Sequence, residues 1–141
     1  MESSKQKILI VDDEDFIRKL GKKILTNAGY SIFAAENGTR ALEIFKSKAD
    51  EIALVILDIH MPDMSGFEVY RNLVRMNKET KVLLCSGYLE DMVMEQTKAF
   101  FIQKPFTITG FLEMVKTVLN AGVEEVIEKN MHFYRRGELD D

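Results

Sequence analysis

Short aliphatic runs alternate along the chain with longer amphipathic segments. The first and third runs are almost wholly aliphatic, which is typical of strands that are buried on both faces of a sheet. The second run is rich in residues that favour strands, and the fifth is short. Together the runs predict five strands, at Lys7–Val11, Tyr30–Ala35, Ala53–Leu57, Lys81–Cys85 and Phe100–Gln103.

The segments between these strands carry apolar residues at helical spacing. In the first segment Phe16, Leu20 and Ile24 follow this spacing, and Gly29 comes next as a C-terminal stop. The segments predict five helices, at residues 14–28, 39–49, 67–76, 89–98 and 107–121. Five repeats of strand and helix imply an α/β fold with a parallel sheet and helices on both faces. Right-handed crossovers make the sheet doubly wound.

Composition narrows the class of protein. The 141 residues fit one compact domain, and a formal net charge of −4 argues against a general nucleic-acid-binding surface. The single cysteine, Cys85, cannot form an internal disulfide, and the longest aliphatic run, 53–57, is too short to span a bilayer. Because the N-terminal residues also lack the apolar stretch of a signal peptide, we expect a cytoplasmic protein.

Charged and hydroxyl side chains follow four of the predicted strands. They are Asp12 and Asp13, Asp58, Ser86, and Lys104. In a doubly wound sheet, ligands bind outside these carboxyl ends. Carboxylates crowded at one edge need a cation, and Mg²⁺ suits oxygen ligands. A carboxylate nucleophile, a Mg²⁺ site, a hydroxyl and a lysine together predict an aspartyl-phosphate site.

These residues lie in motifs that resemble the receiver domain of two-component response regulators. The motifs, each at a predicted strand end, are Ile10–Asp13, Leu57–Pro62 with Ser65–Gly66, Ser86–Gly87, and Lys104–Phe106. The resemblance covers about residues 6–121 and implies a flavodoxin-like strand order of 2-1-3-4-5. It implies a phosphoacceptor that receives a phosphoryl group from a histidine kinase or phosphotransfer domain, with Mg²⁺, and then switches a protein-binding surface. Such a domain catalyses only its own phosphorylation and dephosphorylation.

The resemblance also implies roles for single residues. Asp58 is expected to accept the phosphoryl group, and Lys104 to pair with the phosphate. Asp13 is expected to bind Mg²⁺ directly, and Asp12 to act on the metal directly or through water. Asp58 and the backbone carbonyl of His60 complete the metal site.

Two further positions are expected to carry the switch. Ser86 resembles the hydroxyl that moves to bind the phosphoryl group, and Phe101 occupies the position of the aromatic residue that rotates. The resemblance also implies a cis peptide bond between Lys104 and Pro105.

Two features depart from the family pattern. Ser86 and Lys104 are 18 positions apart, which is a few positions less than the usual spacing in the receiver family. This predicts a shortened fourth helix, on the face that receivers use for output and dimers. The receiver domain is expected over 1–122, with a C-terminal helical extension or linker over 123–141. Because an apolar stripe on a short helix needs a partner, the extension is expected to pack on its own domain or on a second copy in a homodimer.

Other functions remain as alternatives. A phosphatase of the haloacid-dehalogenase type also uses an aspartyl phosphate, but it needs a second Asp where this chain has His60. A pseudo-receiver binds a partner without being phosphorylated, so it would not need the complete set of phosphoacceptor-site residues. The chain could be a receiver module of a hybrid histidine kinase. Neither nucleic acid nor a membrane is expected as a direct partner, and the downstream target is unknown.

Overall fold

The computed structural model describes residues 6–88 and 99–140 of the chain. Within them, five parallel strands form one sheet in the order β2-β1-β3-β4-β5. The strands are β1 (Lys7–Val11), β2 (Ser31–Ala35), β3 (Ile52–Asp58), β4 (Val82–Ser86) and β5 (Phe100–Gln103). The predicted strand order is therefore confirmed.

The described residues contain five helices. They are α1 (Asp15–Asn27), α2 (Gly38–Lys48), α3 (Gly66–Met76), α4 (Ile108–Leu119) and α5 (Val123–Asp140). Side-chain oxygens of Asn37, Ser65 and Thr107 accept backbone N–H groups in the first turns of α2, α3 and α4, which explains where these helices begin. The helix predicted at 89–98, and with it the expected shortening, lies outside the described residues. Helix α5 lies in the segment for which a C-terminal helical extension or linker is expected.

The core has two layers, because alternate side chains of the central strands point to opposite faces of the sheet. Leu9 and Leu57 lie on the face covered by α2, α3 and α5. Ile8 and Ile56 lie on the face covered by α1 and α4. The helices therefore cover both faces, as predicted. No described helix has both the length and the apolar character needed to cross a membrane.

Helix α1 exposes part of the apolar stripe that its sequence indicates. Leu25 is fully buried, but Phe16 and Leu20 are 73% and 43% exposed. Leu20 lines an open cleft between α1 and α4, which explains its exposure. Gly21 faces the sheet, and a Cβ at this position would collide with the side chain of Ile10. Helix α1 therefore approaches the sheet closely at Gly21 and leaves the cleft beside it.

Helix α5 packs on its own domain. The ring of Phe133 stacks on Tyr70 of α3 with a centroid separation of 4.1 Å. Val126 and Asn130 are also buried. The C-terminal extension thereby contributes Phe133 to the hydrophobic core on the α2 and α3 face of the sheet.

Candidate phosphoacceptor site

Three carboxylates meet at the carboxyl ends of β1 and β3. Asp12 and Asp13 follow β1, and Asp58 ends β3, which is the neighbouring strand. Their oxygens can all lie within 4.8 Å of one another. Asp12 and Asp58 are buried, at 4% and 7% exposure, whereas Asp13 is exposed. The structure therefore brings together the three acids that the sequence singles out.

The backbone around Asp58 is held by close packing. The N–H of Ile59 donates to the carbonyl of Cys85, and the N–H of Gly66 donates to the carbonyl of Ile59. A Cβ on Gly66 would collide with the carbonyl oxygen of Asp58 and would lie 2.7 Å from Cα of Ile59. Glycine is therefore required where the first turn of α3 meets the end of β3, which explains why this loop can fold back beside Asp58.

Lys104 reaches the acids from the end of β5. Its backbone N–H donates to the carbonyl of Ser86 at 2.8 Å, which aligns the ends of β4 and β5. Its Nζ lies 3.2 Å from Oδ2 of Asp12 and 3.4 Å from Oδ1 of Asp58. The bond from Lys104 to Pro105 is cis, as expected from the resemblance.

The charges of the site shift the pKa values of its members. Burial raises the pKa of the Asp58 carboxyl to about 6; the Lys104 ammonium opposes this rise and the Asp12 carboxylate adds to it. For Lys104, burial alone would lower the pKa, but the carboxylates of Asp58 and Asp12 outweigh it and raise the pKa. Burial raises the pKa of the Cys85 thiol to about 12, so this side chain stays neutral.

The remaining predicted residues surround this group. Ser86 ends β4, one register position beyond the residue paired with Asp58, and its Oγ accepts the N–H of Tyr88 at 3.0 Å. His60 lies in the loop after β3. Phe101 lies in β5, is half-buried, and packs against the core on the α3 face.

Two side chains beside the site were not predicted from the sequence. The ring of Tyr88 lies 4.5 Å from the ring of His60, so these side chains meet at the edge of the site. Arg18 of α1 donates to the backbone carbonyl of Asp12 at 2.8 Å. In the sequence, Tyr88 follows Ser86 by two positions, just as His60 follows Asp58 by two positions. This equal spacing after two strand ends is a signal that could have indicated the contact between Tyr88 and His60.

A cleft of about 530 Å³ leads to the acids between α1 and α4. Asp12, Asp58 and Lys104 line it, and the rest of its wall is mainly aliphatic and aromatic, including Leu20 and Phe106. Asp58 is therefore buried by packing and yet reachable from outside through this opening.

The donor set fits a hard divalent cation. Asp12, Asp13 and Asp58 offer carboxylate oxygens only, and the group carries more negative charge than Lys104 balances. Mg²⁺ binds through a few carboxylates and retains water in its other positions. The chemistry of these residues is thus consistent with Mg²⁺ at the carboxyl ends of β1 and β3.

The fold and the acids at its strand ends define a phosphoacceptor-type signalling domain. The family described as the response regulator receiver domain matches residues 8–116, and this chain belongs to that family.

Relatives of the chain include a protein that is matched over nearly its whole length and a much longer kinase. The chemotaxis protein CheY of Bacillus subtilis is 35% identical over 119 residues, which are 81% of this chain and 98% of that protein. The sensor kinase CckA of Brucella abortus is 34% identical over 116 residues, which are 79% of this chain but 12% of the kinase.

A solved structure has the same fold. It is the response regulator protein TrrA of Thermotoga maritima in complex with Mg²⁺ and BeF, which is 38% identical and superposes with a TM-score of 0.74 over 80% of this chain and 98% of that one.

Proposed function

We propose that this chain accepts one phosphoryl group on Asp58 and transmits the signal through protein contacts. The observation that carries the proposal is the convergence of Asp12, Asp13 and Asp58 with Lys104, whose Nζ lies 3.4 Å from an oxygen of Asp58. One buried carboxylate thereby has a cation beside it and a channel to the surface. A carboxylate with a cation beside it and an opening to the surface can act as the nucleophile in covalent catalysis.

The positions of the side chains support the role that we propose for each. An oxygen of Asp58 bonds to the phosphorus of a phosphohistidine, while the phosphorus–nitrogen bond breaks and the imidazole leaves. Lys104 contacts both Asp58 and Asp12. Its ammonium is therefore close enough to pair with a negatively charged oxygen of a phosphoryl group on Asp58. Ser86 is the last residue of the adjacent strand β4, and its hydroxyl donates to another phosphoryl oxygen. A movement of Ser86 then also moves the neighbouring strand β5, where Phe101 lies.

Asp12, Asp13, Asp58 and the backbone carbonyl of His60 are the groups that would hold Mg²⁺. When bound there, Mg²⁺ supplies positive charge against the phosphoryl oxygens. The chain's own residues provide the remaining requirements: Gly66 allows the loop to pack beside Asp58, and Lys104 partly neutralises the acids.

The donor is a histidine kinase or a phosphotransfer domain, and it approaches Asp58 from the α1 side. Leu20 lines the cleft that leads to Asp58, and Phe16 lies one turn away on the same helix. Both side chains are exposed, as is Ile108 at the first turn of α4. Exposed apolar side chains of α1, in the cleft wall at Leu20 and one turn away at Phe16, suit the docking of a donor helix. The same role holds if the chain works within a hybrid sensor kinase, since the CckA match is to part of such a protein.

Two rival functions have less support. A phosphatase of the haloacid-dehalogenase type would need an acid at position 60, which is His60. A pseudo-receiver would not need Asp13, Asp58 and Lys104 at one site. We infer that the chain catalyses nothing beyond its own phosphorylation and dephosphorylation.

The test is phosphorylation with acetyl phosphate and Mg²⁺, followed by intact-mass spectrometry. The wild type should gain the mass of one phosphoryl group, and Asp58→Asn should gain none. Asp63→Asn is the matched control, because Asp63 is an exposed acid in the following loop that caps α2; it should still be phosphorylated. Phosphorylation that persists in Asp58→Asn would refute the assignment.

A further inference from the structure

Helix α5 makes polar contacts with the segment that leads into β4. The side-chain amide of Asn130 donates to the backbone carbonyls of Lys78 and Thr80 at 2.8 and 2.7 Å. Its oxygen accepts the hydroxyl of Tyr70 at 2.7 Å. Asn130 is 3% exposed, so these hydrogen bonds are shielded from water. A small displacement of this segment would leave buried polar groups without partners, which is costly.

Helix α5 also contacts the start of β5. The Nζ of Lys129 lies 4.8 Å from the centroid of the Phe100 ring. Phe101, the next residue, packs against the core cluster that contains Phe133, and Met131 of α5 packs against the same cluster. The helix therefore bears on the amino-terminal ends of β4 and β5 together.

The carboxyl ends of the same two strands carry the phosphoacceptor site. Ser86 ends β4, and Lys104 follows β5 with its backbone N–H bonded to the carbonyl of Ser86. The Nζ of Lys104 contacts Asp58. Strands β4 and β5 are only five and four residues long. We expect a shift of Ser86 or Lys104 toward a phosphoryl group to be transmitted along these short strands to Thr80 and Phe100, which α5 contacts.

The docked helix is complementary to the arrangement in which Lys104 pairs directly with the carboxylates of Asp12 and Asp58. Phe133 lies 4.1 Å from the Tyr70 ring in a nearly parallel stack, and the buried amide of Asn130 has both donor and acceptor partners. A contact surface that fits one arrangement of β4 and β5 fits a second arrangement less well. The two arrangements must then differ in their affinity for α5, and this difference is the energy that couples two sites.

We propose that α3 and the starts of β4 and β5 form an output surface that α5 covers in the unphosphorylated chain, and that phosphorylation of Asp58 weakens this cover. The proposal rests on the function proposed above. The surface is formed by Phe67, Tyr70 and Phe100 together with the carbonyls of Lys78 and Thr80. It fits an amphipathic helix with an aromatic anchor and a nearby amide, the features that α5 now supplies.

Coupling of this kind is reciprocal. If phosphorylation weakens the docking of α5, then weaker docking must favour the phosphorylated arrangement. Phe133→Ala removes the stacked ring from the surface without touching the acids. It should bind beryllofluoride, with Mg²⁺, about fivefold more tightly than the wild type.

The experiment uses the full chain with Mg²⁺ and beryllofluoride as the phosphoryl mimic. Hydrogen exchange is followed by mass spectrometry with and without the mimic, and its affinity is measured by calorimetry. Amides of residues 123–135 should exchange about fivefold or more faster with the mimic bound. The affinity is compared among the wild type, Phe133→Ala and two controls. Phe45→Ala deletes a ring of α2 that is buried like that of Phe133. His132→Ala changes the exposed residue that precedes Phe133 on α5. Both controls should bind the mimic as the wild type does.

The outcomes separate this proposal from the one on which it rests. If the wild type shows no binding that Asp58→Asn abolishes, the phosphoacceptor function itself fails. If the wild type binds the mimic but exchange in 123–135 does not rise, the coupling to α5 is refuted. Tighter binding in Phe45→Ala would also refute it, because loss of stability would then suffice. The exchange measurement needs no variant, so it decides even if Phe133→Ala does not fold.

Discussion

Ionisation of Asp58 should destabilise the metal-free chain, and Asp58→Asn should relieve this cost. Burial raises the pKa of Asp58 to about 6 in the folded chain, against 3.8 for the free side chain. Between these values the folded state keeps a proton that the unfolded state has lost. Stability therefore falls as the pH rises through this range, because the folded state binds more protons.

The free-energy cost of ionising Asp58 follows from the difference between its folded and unfolded pKa values. At about 1.4 kcal/mol per pKa unit, the cost of ionising Asp58 has an upper bound of about 3 kcal/mol. Because the carboxylate borders an open cleft and Lys104, solvent screening reduces the expected value to about 1–2 kcal/mol. The Asn side chain has a similar shape and no charge, so Asp58→Asn should be more stable than the wild type by this amount above about pH 6.

The assay is urea unfolding of both proteins in EDTA from about pH 4 to about pH 8. Groups distant from Asp58 contribute equally to both chains, so the difference between the two proteins reports on Asp58 and the charges coupled to it. The difference should be smallest near pH 4, should grow up to about pH 6, and should then stay constant. Saturating Mg²⁺ should diminish it, since the metal stabilises only the wild-type carboxylate. A difference that does not change with pH would refute the electrostatic account of the site.

Three further changes test the metal site, the C-terminal helix and the packing beside Asp58. Asp13→Ala should weaken Mg²⁺ binding and slow phosphorylation together, and an unchanged calorimetric dissociation constant would show that Asp13 is not a ligand. Asn130→Ala should lower the free energy of unfolding by about 2–4 kcal/mol, because it leaves buried polar groups unpaired; a loss in urea unfolding below about 0.5 kcal/mol would contradict this. Gly66→Ala should lower the melting temperature and impair phosphorylation of Asp58, whereas Gly122→Ala, with open space around its Cβ position, should do neither.

Much of the site could be predicted because its residues stand directly after apolar runs. In a parallel sheet the carboxyl ends of all strands lie at one edge, so Asp12, Asp13, Asp58 and Lys104 are expected at the same edge of the sheet. The strand order needed the resemblance, because hydrophobic periodicity shows that an element is a strand but not which strand lies next to it.

Contacts between distant elements could not be predicted in this way. The spacing of apolar residues in 123–141 indicates a helix, but the surface it covers depends on tertiary partners. Asn130 illustrates this, since its partners Tyr70, Lys78 and Thr80 lie 50 or more positions away in the sequence. Likewise, Leu20 has the spacing of a buried residue, but it lines the open cleft between α1 and α4 and is exposed.

The central claim is that Asp58 carries the phosphoryl group, and chemical trapping tests it most directly. After reaction with acetyl phosphate and Mg²⁺, borohydride reduces an aspartyl phosphate to homoserine, releasing phosphate, and peptide mass spectrometry locates the altered residue. We expect homoserine at position 58 and at no other aspartate. Homoserine at position 12 or 13, or none in a chain that has gained the mass of a phosphoryl group, would contradict the claim.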